Sequence, residues 1–120
     1  MKHKKITDPI YNAEVHIIYN CTHDEMNKKL NKLYKNIEED KEQCVNKAEC
    51  FRLIHYNNYK NYILWFLDFK IKADTLYVIA HEVSHLVDNV FEDRGVKNDT
   101  EARAYYLEYW VRQLWRLCSK

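Results

Sequence analysis

Residues 74–95 read DTLYVIAHEVSHLVDNVFEDRG, and the fold turns on how this run is organised. Leu76, Ile79, Val83, Leu86, Val87 and Val90 recur at helical spacing and form one apolar stripe, the pattern of an amphipathic helix laid on a core. Asp74 or Thr75 can cap its start, and Gly95, the only glycine in the chain, marks its end. At about 100° per residue, His81, His85 and Asp88 fall roughly opposite the centre of that stripe. They occupy a face turned from the core, with Tyr77 and Val78 in the preceding turn, where a cleft wall would stand.

The pentad His81-Glu82-Val83-Ser84-His85 has the HExxH form. Two imidazoles four residues apart on a helix are neighbours that can reach one tetrahedral ion. The Glu between them lies beside the pair, placed to hold and deprotonate a metal-bound water. With 6 histidines in 120 residues, chance produces the pattern roughly 0.02 times per chain of this composition. Two surface histidines on a solvated helix would explain the facing but not the glutamate. A catalytic zinc needs a third protein ligand. The HExxHxxGxxH arrangement is absent, because position 88 is Asp and no histidine follows His85. Asp88 is instead placed to orient an imidazole through its carboxylate. The acids that remain downstream are Glu92, Asp93, Asp99, Glu101 and Glu108.

Past Gly95, Asn98, Asp99 or Thr100 can cap a further helix running through Ala104, Leu107, Val111 and Leu114 to about Leu117. Its Tyr105, Tyr106, Tyr109, Trp110 and Trp115 read as core packing more readily than as a substrate cleft. Helix geometry leaves the third ligand open. A tight antiparallel pair turning about Val96 sets the residue level with His85 near 107, which favours Glu108; a first helix that stops early favours Glu101. Asn98-Asp99-Thr100-Glu101 can also be a capping-box variant, which would give Glu101 a structural use.

Upstream, residues 50–56 and 59–67 are aromatic and β-branched runs separated by Asn57-Asn58, which predicts a hairpin. Thr22-His23-Asp24-Glu25 has capping-box form ahead of Met26, Leu30, Leu33 and Ile37 at helical spacing. Lys28, Lys29, Lys32 and Lys35 read as the solvated side of that helix. Residues 10–19 alternate loosely and read as a strand entered at Asp8-Pro9. The lone His3, His16, His23 and His55 have no partner in sequence and read as surface or satisfied core residues. The order is strand, helix, hairpin, helix, helix: a small α+β fold with residues 1–120 as one domain.

Composition narrows the function classes. Lys and Arg number 19 against 18 Asp and Glu, a net charge of +1. The positive field that carries phosphate-backbone binding is missing, so nucleic acid is not the expected partner. The four cysteines, at 21, 44, 50 and 118, form no CxxC and read as free thiols. The basic start is followed by Thr7, Asp8, Asn12 and Glu14, which interrupt any export signal, and no apolar run reaches the roughly 20 residues a bilayer span needs. The expectation is a cytoplasmic protein without a membrane segment. Its richness in Lys, Asn, Tyr and Ile accords with an AT-rich bacterial or phage genome.

His81-Glu82-Val83-Ser84-His85 followed by Glu101-Ala102-Arg103-Ala104 resembles the gluzincin group of zinc metallopeptidases, in particular compact single-domain members encoded by phages and bacteria. The resemblance covers residues 74–120. It implies a zincin-like domain in which His81, His85 and Glu101 bind Zn²⁺ and Glu82 is the general base. It also implies that the 59–67 strand can hold an extended peptide by edge pairing. Many gluzincins place Asp four residues after the ligand Glu, and position 105 here is Tyr. The function expected is hydrolysis of peptide bonds in a peptide or protein substrate. The alternative is a catalytically silent zinc-binding module of the same fold, regulatory or interacting.

Overall fold

The computed structural model describes residues 1–34, 47–53 and 61–120. In chain order these form β1 (Lys2–Thr7), β2 (Glu14–Tyr19), α1 (His23–Leu33), β3 (Ala48–Arg52), β4 (Asn61–Phe66), α2 (Ala73–Arg94) and α3 (Thr100–Cys118). Among the described residues the strands make one sheet in the order β1-β2-β4-β3. The inner strands β2 and β4 run parallel, with Val15 opposite Tyr62 and Ile18 opposite Trp65; each outer strand is antiparallel to its neighbour. The result is an α+β fold.

Both faces of the two inner strands are covered, which is why they read as nearly continuous apolar runs. Val15, Ile17, Tyr62, Leu64 and Phe66 pack on α2 and α3 through Ile79, Val83, Leu86, Val87, Tyr106, Trp110 and Leu114. On the other face Ile18, Ile63 and Trp65 pack on Met26 and Leu30 of α1. The sheet is thus a middle layer between α1 and the α2–α3 pair.

Three elements differ from expectation. β1 is a strand where the sequence shows only a basic start. It sits at the sheet edge, where alternating lysines are tolerated and blunt further pairing, so its pattern is charged rather than apolar. The 10–19 run is correspondingly shorter as a strand: residues 9–11 turn, Asn12 takes φ 56°, and β2 begins at Glu14. Asp8 governs that turn, accepting from the backbone of Ile10, Tyr11 and Ala13 and from the Tyr106 hydroxyl at 2.8 Å, which also moors α3. Finally, α2 starts before the expected caps. Lys72 holds the N-cap position and offers no acceptor, while Asp74 and Thr75 lie in the first turn.

Other expectations hold. Thr22 caps α1 in a full capping box with Glu25, and β3 and β4 pair antiparallel as the hairpin requires. Its turn at Asn57-Asn58, His55 and Cys44 lie outside the described residues, and α1 ends before the helical spacing to Ile37 is completed, at Leu33 with Tyr34 extended at its C-cap. Gly95 stops α2 at φ 62°, a conformation in which glycine carries no Cβ penalty. Cys21, Cys50 and Cys118 are free thiols. No helix among the described residues is long and apolar enough to cross a membrane.

Candidate metal centre

Each side chain of the HExxH pentad goes where the facing of α2 sends it. Val83 enters the core, Glu82 is buried at 7% exposure, Ser84 is half-buried, and His81 and His85 are exposed. The two imidazoles meet edge-on, centroids 4.8 Å apart, with Nε2 to Nε2 at 3.2 Å. A tetrahedral zinc with Zn–N bonds of about 2.0–2.1 Å sets two nitrogen ligands about 3.3–3.4 Å apart. As they stand the two rings share a hydrogen bond through these nitrogens, and the same separation is close to that of two corners of such an ion.

Glu82 turns to the flank that faces β3. There Lys47 and Ala48 on one side, and Tyr77, Val78, His81 and Glu82 on the other, enclose an open groove of about 360 Å³. Burial pushes the Glu82 carboxyl above the ordinary carboxylate range; His81 and His85 pull it back, and Glu49 adds to the rise. The Cys50 thiol in β3 is pushed far up by burial, with Glu82 and Glu49 adding their charge, so it stays neutral. At the far end Arg52 of β3 donates through Nε to both Asp93 oxygens at 3.0 Å, and the Tyr62 hydroxyl donates to the same carboxylate at 2.8 Å. This pins the C-terminal half of α2 to the sheet.

The opposite flank belongs to α3. Arg103 donates to Asp88 Oδ1 and, at 3.3 Å, to Ser84 Oγ, so a guanidinium lies at the turn that carries His85. Asp88 therefore pairs with Arg103 rather than orienting an imidazole, the role its sequence position suggested. Arg103 was not singled out in sequence, although a signal exists. At 100° per residue it falls on the stripe of Tyr106, Leu107 and Trp110, and a charge within an apolar stripe must meet a partner.

Neither geometric route to a third ligand matches what is seen. Helix α2 runs unbroken to Arg94, and α3 returns beside it with Arg103, not 101 or 107, facing Ser84 and Asp88. Glu101 and Glu108 stand with Tyr105 and Arg112 on the exposed stripe of α3, where Glu108 pairs with Arg112. Among the described residues no third His, Cys, Asp or Glu joins His81 and His85 in a metal-holding group. Asp99 is the N-cap, accepting from the backbone of Glu101 and Ala102 at 2.8 and 3.0 Å. A capping box would need its carboxylate at position 102, so Glu101 has no such structural use.

Two further expectations are corrected. β4 is paired on both sides, so the strand within residues 59–67 has no free edge; β3 is the outer strand beside the groove. Tyr106 and Trp110 are core residues and Tyr109 and Trp115 are half-buried, but Tyr105 is 66% exposed. No protein-family model, curated protein or solved structure matches the chain.

Proposed function

We propose that the protein is a zinc-dependent metallopeptidase of zincin-like fold, with His81, His85 and Glu101 as metal ligands and Glu82 as general base. The observation that carries this reading is the pairing of a 3.2 Å Nε2 separation on the exposed face with a buried carboxyl on the adjoining flank. When bound, zinc supplies a Lewis acid that polarises a peptide carbonyl and acidifies water. Glu82, in a groove walled by β3, takes the proton of the attacking water and passes it to the leaving amine. Its raised pKa makes its carboxylate the stronger base for the first half of that transfer. Glu101 is the second residue of α3, on its exposed side, in the turn that Arg103 ties to that of His85. The groove along β3 offers an extended peptide a strand edge that no described residue pairs with.

Replacing Glu82 by Gln tests the assignment. The variant is expected to keep zinc, measured by elemental analysis, and its melting temperature, while hydrolysis of a peptide library falls by about 10²-fold or more. Loss of zinc together with activity would make Glu82 a ligand and overturn the mechanism. Full zinc occupancy with no cleavage by the wild-type protein would leave the silent zinc-binding module as the better reading.

A further inference from the structure

The groove does not end at His81. Lys47 and Val78 line both it and a second pocket of about 210 Å³, which continues along α2 to the N-terminus of that helix past Asp68, Lys72, Asp74 and Thr75. This end of α2 is built unlike that of α1 or α3. Thr22 and Asp99 cap their helices with side-chain oxygens, whereas Lys72 provides none. The N–H groups of Thr75 and Leu76 turn back to the Lys72 carbonyl at 3.1 and 3.4 Å, leaving those of Ala73 and Asp74 for an outside acceptor. A helix of 22 residues adds its positive end to the same spot.

An independent feature lies in the same pocket. Thr75 is 2% exposed, yet its Oγ1 has no hydrogen-bond partner among the described residues. A helical threonine ordinarily returns its hydroxyl to the carbonyl one turn back, and a buried hydroxyl left alone is costly, so a missing acceptor is indicated. The charges sort in the same sense. Asp68 is drawn off by Lys72 at 2.8 Å and Lys70 at 3.9 Å, and Asp74 is exposed at the rim. Lys47 makes no ion pair within 4 Å among the described residues, although its charge helps hold Asp68 ionised, and it stands on the wall shared with the His81 groove.

Resting on the peptidase reading, we propose that the N-terminus of α2 is a carboxylate-binding subsite. Thr75 Oγ1, the free N–H groups of the first turn and Lys47 hold a carboxylate of the bound peptide there. The six residues from Thr75 to His81 span roughly 9 Å of helix, which an extended peptide covers in about three residues. The subsite thus selects peptides with a carboxylate about three residues from the bond that is cut. α2 runs in the same direction as β3, since the groove puts Lys47 and Ala48 by Val78 while Arg52 meets Asp93. A peptide added antiparallel to β3 therefore sends its C-terminal end towards Thr75. That favours a free C-terminal carboxylate over an acidic side chain.

NMR titration of the ¹⁵N-labelled protein tests this. The probes are N-acetyl-Ala-Ala-Ala, its C-terminal amide, and N-acetyl-Ala-Asp-Ala-amide, each with and without EDTA. The free acid is expected to shift the amide signals of residues 73–76 and to bind at least tenfold tighter than the plain amide. Thr75→Val should weaken the acid at least fivefold and leave the amide unchanged, Thr75→Ser should restore it, and Lys47→Gln should weaken it too. Because the hydroxyl is unpartnered, Thr75→Val is expected to melt no lower than wild type, so a weaker affinity is not a folding defect. Tight binding of the aspartyl amide would support the subsite with a side-chain carboxylate as its ligand. Equal affinity for acid and amide, or no effect of Thr75→Val, would overturn it. The shifts at residues 73–76 need no zinc, so a protein that binds the acid but no metal would overturn the peptidase reading and leave the subsite standing.

Discussion

Among the described residues two pairs of histidines touch, and they are built for opposite ends. His81 and His85 stand on one helix, exposed, edge-on, with Nε2 atoms 3.2 Å apart. His3 and His16 meet across the β1–β2 hairpin, stacked at 27°, with His3 Nε2 to His16 Nδ1 at 2.9 Å. The second pair has spent its nitrogens. His16 is 5% exposed and its Nε2 lies 2.7 Å from the Tyr34 hydroxyl, so both ring atoms are engaged in one chain of hydrogen bonds. Contact between imidazoles is thus no metal signal in itself. Solvent access makes the difference: among the described residues the helical pair can exchange its single Nε2–Nε2 hydrogen bond for an ion from solution, whereas His16 is walled in by partners on both nitrogens.

Breaking each pair separates the roles, and the largest effect is expected at α2. His81→Ala should lose one equivalent of zinc outright, read by elemental analysis, and with it any stabilisation that metal gives the fold. Stoichiometric zinc retained at micromolar protein would sink the site. Next in size is the third ligand. Glu101→Gln should weaken zinc by tenfold or more in a competition titration, whereas Glu108→Gln, at an exposed i,i+4 pair, should stay within about twofold. The reverse ranking would move the ligand to Glu108. The β-hairpin pair answers in another currency: His16→Ala should leave zinc untouched but cost about 2 kcal/mol of stability by denaturant unfolding, for the lost ring and the orphaned partners. A zinc deficit in that variant would erase the contrast between the pairs.

The same contrast shows what could be read in the chain. The helical pair was legible because its contact is local: four residues of α-helix fix the geometry whatever the rest of the fold does. So were the stripe of α2, the capping box at Thr22 and the antiparallel β3–β4 pairing, each set by neighbours in sequence. The β-pair was not legible, since His3 and His16 are diagonal neighbours only in a register where Lys5 faces His16 and His3 faces Ile18, and β1 hid as a run of lysines. Arg103 on Ser84 and Asp88, Lys47 beside Val78 and the pairing of His23 with Glu49 are likewise products of tertiary placement. The third ligand failed for a related reason: its position depends on how α3 rotates against α2, and a helix of known length and caps still has that one angle undetermined.

The smallest expected effect is also the cleanest mark of the difference, because it needs acid rather than mutation. Burial lowers the His16 pKa from the usual 6.5 to about 4, with the charge of His3 and Lys5 in the same sense and Glu14 opposing; burial lowers His3 too, with Lys29 and Lys5 adding. The neutral ring is thus the form the fold prefers. Between pH 6.5 and about 4 the unfolded chain takes up a proton on His16 that the folded chain refuses, so this contribution is complete above 6.5 and is lost as the pH falls towards 4. One full proton corresponds to about 1.4 kcal/mol per pH unit, and the partly solvated hairpin edge should show a fraction of it. Denaturant unfolding at intervals from pH 7.5 to 4, in EDTA so that zinc release does not contribute, should give a shallower slope for His16→Ala than for wild type. Equal slopes for wild type and His16→Ala would show that the buried pair holds no preference for its neutral form, and the two histidine pairs would then differ in exposure alone.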